Sequence, residues 1–167
     1  MCARPRAVRC AARPGPSEGQ QENNVAYLFD TDAISETLKR RPVPAFIDWL
    51  SHVPREEQYA SAVSIAELYR GAFRSDHSLR HLTNIDDRVL KAVTVLPFDT
   101  GVSRVYGRLY AQLAESNQLL AEADLQIAAT AVHHGLALVT GNLKHFERVA
   151  GLVIEKAFAT GRRNAAG

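Results

Sequence analysis

Three acidic residues, far apart in the chain, stand where an α/β fold would gather them: Asp30, Glu67 and Asp124. Asp30 closes the short apolar run Ala26-Tyr27-Leu28-Phe29, whose aromatic and aliphatic residues suit a buried strand. Glu67 falls in the first turn of a helical pattern that follows a second strand over residues 59–63, and Asp124 in the first turn of an alanine-rich helix over residues 123–134. A fourth polar position, Asn142, comes just after an apolar strand over residues 136–140. In a parallel sheet with right-handed crossovers, all four lie at the carboxyl-end edge of the strands. Two carboxylates about 4 Å apart repel by roughly 4 kcal/mol at an effective dielectric near 20. A helix-capping role returns only about 1 kcal/mol per residue. Acids packed at one edge therefore call for a cation. Oxygen ligands without Cys or His select Mg²⁺, with Mn²⁺ as the alternative. Such a site activates a water and stabilises charge on a phosphate under attack.

Each residue also has a plainer reading. Ser64-x-x-Glu67 fits a capping box, in which Glu67 bonds back to the cap residue's N–H. Glu122 and Asp124 complement the positive end of a helix, Asp32 suits a helix cap or a supporting place beside the site, and Thr140 can cap its own turn or join the site. Asp99, after a third strand over residues 93–98, reads as an N-cap. Lys39 and Arg40 (with Arg41) follow the first helix, and Arg70 and Arg74 follow Glu67; these are candidate phosphate contacts and equally plausible as solvated helix ends. His77 and His81 have no third metal ligand nearby, and His145 suits packing or capping.

The elements that must position the acids alternate strand and helix five times across 167 residues, which predicts a mainly parallel central sheet of about five strands with helices on both faces, an α/β/α domain. A single core suffices for this length. Residues 1–24 read as a disordered basic head, residues 25–156 as one domain and residues 157–167 as a frayed tail. The first 26 residues carry four arginines and two glutamates, the whole of the formal +2 charge; the other 16 basic and 16 acidic residues balance. Any nucleic-acid surface must therefore be local. Met1 is the only methionine, which suggests a natural start near Val25. Both cysteines, Cys2 and Cys10, lie in the head, so the domain needs no disulfide and suits the reducing cytoplasm. No apolar run approaches membrane-spanning length.

Four segments, Asp30-Thr31-Asp32, Ser64-Ile65-Ala66-Glu67-Leu68 with Arg70-Gly71, residues 123–131, and Leu138-Val139-Thr140-Gly141-Asn142 followed by His145-Phe146, resemble the PIN-domain family. More narrowly, they are similar to the toxin ribonucleases of VapBC toxin–antitoxin modules. The resemblance runs from about residue 26 to 155. It implies a Mg²⁺-dependent endoribonuclease that acts on RNA, forms a homodimer, is neutralised by a cognate antitoxin, and meets promoter DNA only through the antitoxin complex. Asp30, Glu67 and Asp124 then take the acidic ligand positions and Asn142 the fourth, where some relatives carry Asp. Because Asn142 is neutral, a rival reading is a catalytically weak PIN-fold module acting on nucleic acid through a protein complex. A weaker one is a phosphatase using the same acidic edge.

Overall fold

The computed structural model describes residues 25–165, and the head of residues 1–24 lies outside them. Five parallel strands form one sheet in the order β3-β2-β1-β4-β5: β1 Tyr27–Phe29, β2 Gln58–Ser61, β3 Thr94–Leu96, β4 Ala137–Val139 and β5 Val153–Glu155. The predicted α/β/α architecture is therefore present. β1 is central, with β2 on one side and β4 on the other, so the chain reverses its direction of travel at β1. A crevice opens outside the strand ends at such a reversal.

Strand alternation sends Leu28 and Leu138 into one core and Phe29 and Val139 into another on the opposite face. The first core is covered by α6 (Thr100–Glu115), α7 (Glu122–His134) and α8 (Leu143–Phe146). The second is covered by α1 (Thr31–Thr37), α2 (Pro44–Ser51), α3 (Ala62–Phe73), α4 (Ser78–Asn84) with the π-helical turn Ile85–Val89 and α5 (Leu90–Ala92), and α9 (Ala157–Ala165). The alanine run of α7 is buried from Ile127 to Ala131, allowing close approach to α6 and the sheet. Gly135 ends α7 with φ +65°, a left-handed turn that glycine adopts without cost.

Local start signals partly differ from the sequence reading. Asp30, not Asp32, caps α1: its Oδ1 accepts the Ala33 N–H at 2.7 Å. Ser61, not Ser64, caps α3, and its Oγ accepts the Val63 N–H at 3.2 Å. Ser64 sits a turn further along with its hydroxyl buried and without a hydrogen-bond partner, so the capping box is absent and Glu67 is released from that role. Asp99 caps α6 as expected, accepting the Val102 N–H at 3.0 Å. The largest departure is the C-terminus, where the expected frayed tail is the helix α9. Phe158 is fully buried and its ring lies 4.6 Å from that of Phe46 on α2.

Candidate active site

The crevice between β1 and β4 holds Asp30. Its backbone N–H donates to the Val139 carbonyl at 3.1 Å, which ties the end of β1 to β4, and only 6% of the residue is exposed. Burial pushes its carboxyl up to about 7 from an ordinary 3.8. Hydrogen bonds from the Thr140 hydroxyl and the Ala33 N–H oppose the rise, and the charges of Asp32 and Asp124 add to it. Thr140 is fully buried, and its Oγ1 also accepts the Asn142 N–H at 3.0 Å. It therefore links the strand end, Asp30 and the following turn, a supporting place and not only a turn cap.

Glu67 points to the same edge from the second turn of α3. Its Oε2 accepts a hydrogen bond from the Thr31 hydroxyl at 2.6 Å, and its Oε1 pairs with Arg70 Nη2 at 3.3 Å. Thr31 follows Asp30 directly, so the two acids are coupled through one residue step. Asp124, in the first turn of α7, has Oδ2 3.4 Å from His145 Nδ1, and the same ring nitrogen is 2.7 Å from Asn142 Nδ2. Asp30 feels the Asp124 charge, and Asn142 reaches Asp124 through His145, so the four positions do converge on one edge.

The remaining expected contacts fall out differently. Asp32 lies in the first turn of α1, partly exposed, and pairs with Arg162 of α9. Arg70 is engaged by Glu67 and so neutralises an acid of the site. Lys39 is held by the buried carboxylate of Glu36 at 2.6 Å instead of standing free for phosphate. Arg40 is exposed just beyond α1 and makes no ion pair among the described residues. Sequence reasoning passed over Thr31, His145 and Arg162 as members of this edge. The position of Thr31 between two acids was a signal for the first, and the position of His145 three residues after Asn142 for the second; Arg162 gave none.

Among the described residues no three His, Cys, Asp or Glu side chains already stand together as an ion-binding group. The donor chemistry nevertheless fits a hard divalent cation. All the acids offer oxygen, and Asp30 is a buried carboxyl beside two like charges, the situation a cation reverses.

Comparison with known proteins identifies the fold. A match to the PIN domain spans residues 27–152. This chain belongs to the PIN-domain family. The chain is 33% identical over 129 residues to the ribonuclease VapC2 of Haemophilus influenzae, covering 77% of this chain and 96% of that protein. It is 38% identical over 132 residues to the VapC ribonuclease Y4jK of Sinorhizobium fredii, covering 76% and 94%. Among solved structures, the DNA-bound VapBC of Salmonella typhimurium superposes with a TM-score of 0.73 at 28% identity, over 78% of this chain and 97% of that one.

Proposed function

We propose that this PIN domain is a metal-dependent endoribonuclease, the toxin half of a toxin–antitoxin pair. The observation that carries the reading is the buried Asp30 at the β1–β4 crevice with Asp124 and Glu67 at the same edge. The names of its relatives, ribonucleases of the VapC kind, support RNA as the substrate. Asp30, Glu67 and Asp124 would hold Mg²⁺ or Mn²⁺, with Asn142 supplying a neutral oxygen. Bound there, the cation supplies water activation and charge stabilisation at the phosphodiester. The chain's own groups orient the acids: Thr140 and the α1 N-terminus hold Asp30, Thr31 holds Glu67, and His145 stands against Asp124.

The partner reading has its own support. An open groove of about 540 Å³ runs from Thr31 and Glu67 along α1, α3 and α4, with an apolar floor of Leu68, Ala72 and Ile85 and a rim that includes Lys39 and Arg80. A segment of a cognate antitoxin lying there would cover the acidic edge. DNA would be met only through that antitoxin, and the toxin would pair as a homodimer.

Cleavage of a panel of RNAs with Mg²⁺ tests the activity. Asp30→Asn keeps the helix-capping oxygen and removes the charge, and its expected loss is about 1000-fold, roughly 4 kcal/mol of transition-state stabilisation. Equal cleavage by wild type and by Asp30→Asn refutes the reading. The rival, a binding module without catalysis, is favoured by the neutral Asn142 and its engagement with His145. Titration calorimetry with Mg²⁺ and Mn²⁺ separates the two, since that rival predicts no heat.

A further inference from the structure

A second surface adjoins the acidic edge, and it is basic. The turn after β4 and the helices α8 and α9 enclose an open cleft of about 490 Å³ whose lining includes Asn142, Lys144, Glu147, Arg162 and Arg163. Three lining cations face one lining acid, and with Arg162 paired to Asp32 the cleft keeps a local excess of positive charge within a domain that is neutral as a whole. Asn142 belongs to both places: it lines the cleft and contacts His145, which stands 3.4 Å from Asp124.

The cleft wall is built, not frayed. Phe158 anchors α9 under Phe46, and Gly161 packs against Val43 and the Phe46 backbone. Arg162 is fixed twice, by its pair with Asp32 and by stacking 5.3 Å over the Phe158 ring. Gly141 accommodates this: a Cβ there would lie 2.5 Å from Arg162 Nη1, 2.6 Å from Asp32 Oδ2 and 2.9 Å from the Phe158 ring. With Arg162 committed to Asp32, Lys144 and Arg163 are the two cations of the cleft lining that make no ion pair among the described residues. α9 starts at residue 157, beyond the PIN match that ends at 152.

We infer that the cleft between α8 and α9 is a phosphate subsite that holds the RNA backbone beside the scissile bond, through Lys144 and Arg163. This rests on the ribonuclease reading above. A polyanion leaving the acidic edge past Asn142 enters a neighbourhood of opposite sign, and a phosphodiester chain offers the repeated charge that two unpaired cations can grip. An acidic polypeptide would find the same charge, and competition with poly-glutamate separates the two.

The test compares the full-length wild type with the double variant Lys144→Ala/Arg163→Ala, two exposed residues whose loss spares the core. Binding of a labelled single-stranded RNA is read by anisotropy without divalent ions, and KM and kcat are read with Mg²⁺. The expected result is about tenfold weaker binding and a log–log salt slope shallower by about 1.4, the value for two contacts on a single strand. KM rises in step while kcat holds. A control removing two exposed cations on α6, Arg104→Ala/Arg108→Ala, leaves both readouts at the wild-type level. Poly-glutamate of equal charge fails to displace the RNA.

Unchanged affinity and KM in the double variant, with a wild type that still cuts, overturn the subsite and leave the ribonuclease reading intact. Equal losses in the α6 control overturn it as bulk charge, and displacement by poly-glutamate overturns the assignment to RNA. A wild type that neither binds nor cuts RNA defeats both readings together.

Discussion

Thr31 is the residue whose side chain decides where Glu67 points. Its hydroxyl donates to Glu67 Oε2 at 2.6 Å while Arg70 competes for the other oxygen. Thr31→Val keeps the shape and removes the donor, leaving Glu67 to Arg70. Groups that orient a metal ligand are worth roughly 10–100-fold in activity or metal affinity. Thr31→Val is therefore expected to lower RNA cleavage within that range with little change in melting temperature; full activity would show that Glu67 needs no such support. Glu36 makes the opposite case, an acid serving stability alone. It is buried, and burial by itself would raise its carboxyl. Hydrogen bonds from Lys39 Nζ and the Val43 N–H, with the charges of Lys39 and Arg162, outweigh that and hold it below its ordinary 4.5. A depressed acid stabilises the fold above its unfolded pKa, and the contribution is lost as pH falls through the folded value. Glu36→Gln should thus cost about 1–3 kcal/mol at pH 7. In urea titrations the gap to wild type should close on acidification below pH 4.5. A gap undiminished at the acid end would contradict this assignment. The role of Glu36 was illegible in the sequence, because the charge of a distant Arg162 leaves no local pattern; Thr31 was marked by its place between two acids, but its bond to Glu67 across 36 positions was not.

At the scale of elements, strands and long helices announced themselves through apolar runs and stripes, and α9 did not. Its sequence Ala-Phe-Ala-Thr-Gly-Arg-Arg-Asn-Ala has one large apolar residue and a glycine, a poor helix in isolation. Its stability comes from tertiary packing: Phe158 fills a place under Phe46, and the small Gly161 lets the helix lie against α2. The start of α3 was misplaced by three residues for a related reason, since Ser61 and Ser64 are equally good caps on paper and only the length of β2 chooses between them. Phe158→Ala should cost about 3–5 kcal/mol if that ring is the anchor. Arg162→Ala, which removes a partly exposed ion pair, should cost less than about 1 kcal/mol. Denaturant midpoints measure both, and a Phe158→Ala penalty as small as that of Arg162→Ala would mean α9 is held by its surface contacts.

For the molecule as a whole, the acidic edge was legible because a parallel sheet places strand ends and the following helix starts on one side, whatever the sequence distance. Which acid would sit deepest was not legible, since that depends on β1 lying centrally between β2 and β4. The central place puts Asp30 in a conflict between stability and chemistry. Its folded pKa of about 7 exceeds the ordinary 3.8, so the fold favours the protonated carboxyl. The linked contribution is complete below the unfolded value and is lost as pH rises through about 7. Without divalent ions, wild type should therefore lose stability between pH 5 and 8 relative to Asp30→Asn, whose amide mimics the protonated acid and keeps the helix cap. At pH 8 the variant should be the more stable by about 1–4 kcal/mol, the upper figure being three pH units at about 1.4 kcal/mol each. Mg²⁺ binds the charged form, so it should raise the wild-type melting temperature more at pH 8 than at pH 6, by the equivalent of about 2.7 kcal/mol at a hundredfold excess over Kd. The variant should gain little. Thermal melts of both proteins across this pH range, with and without Mg²⁺, decide the matter: parallel metal-free curves would mean that Asp30 ionises as an ordinary carboxylate, and equal stabilisation by Mg²⁺ would place the cation elsewhere on the surface.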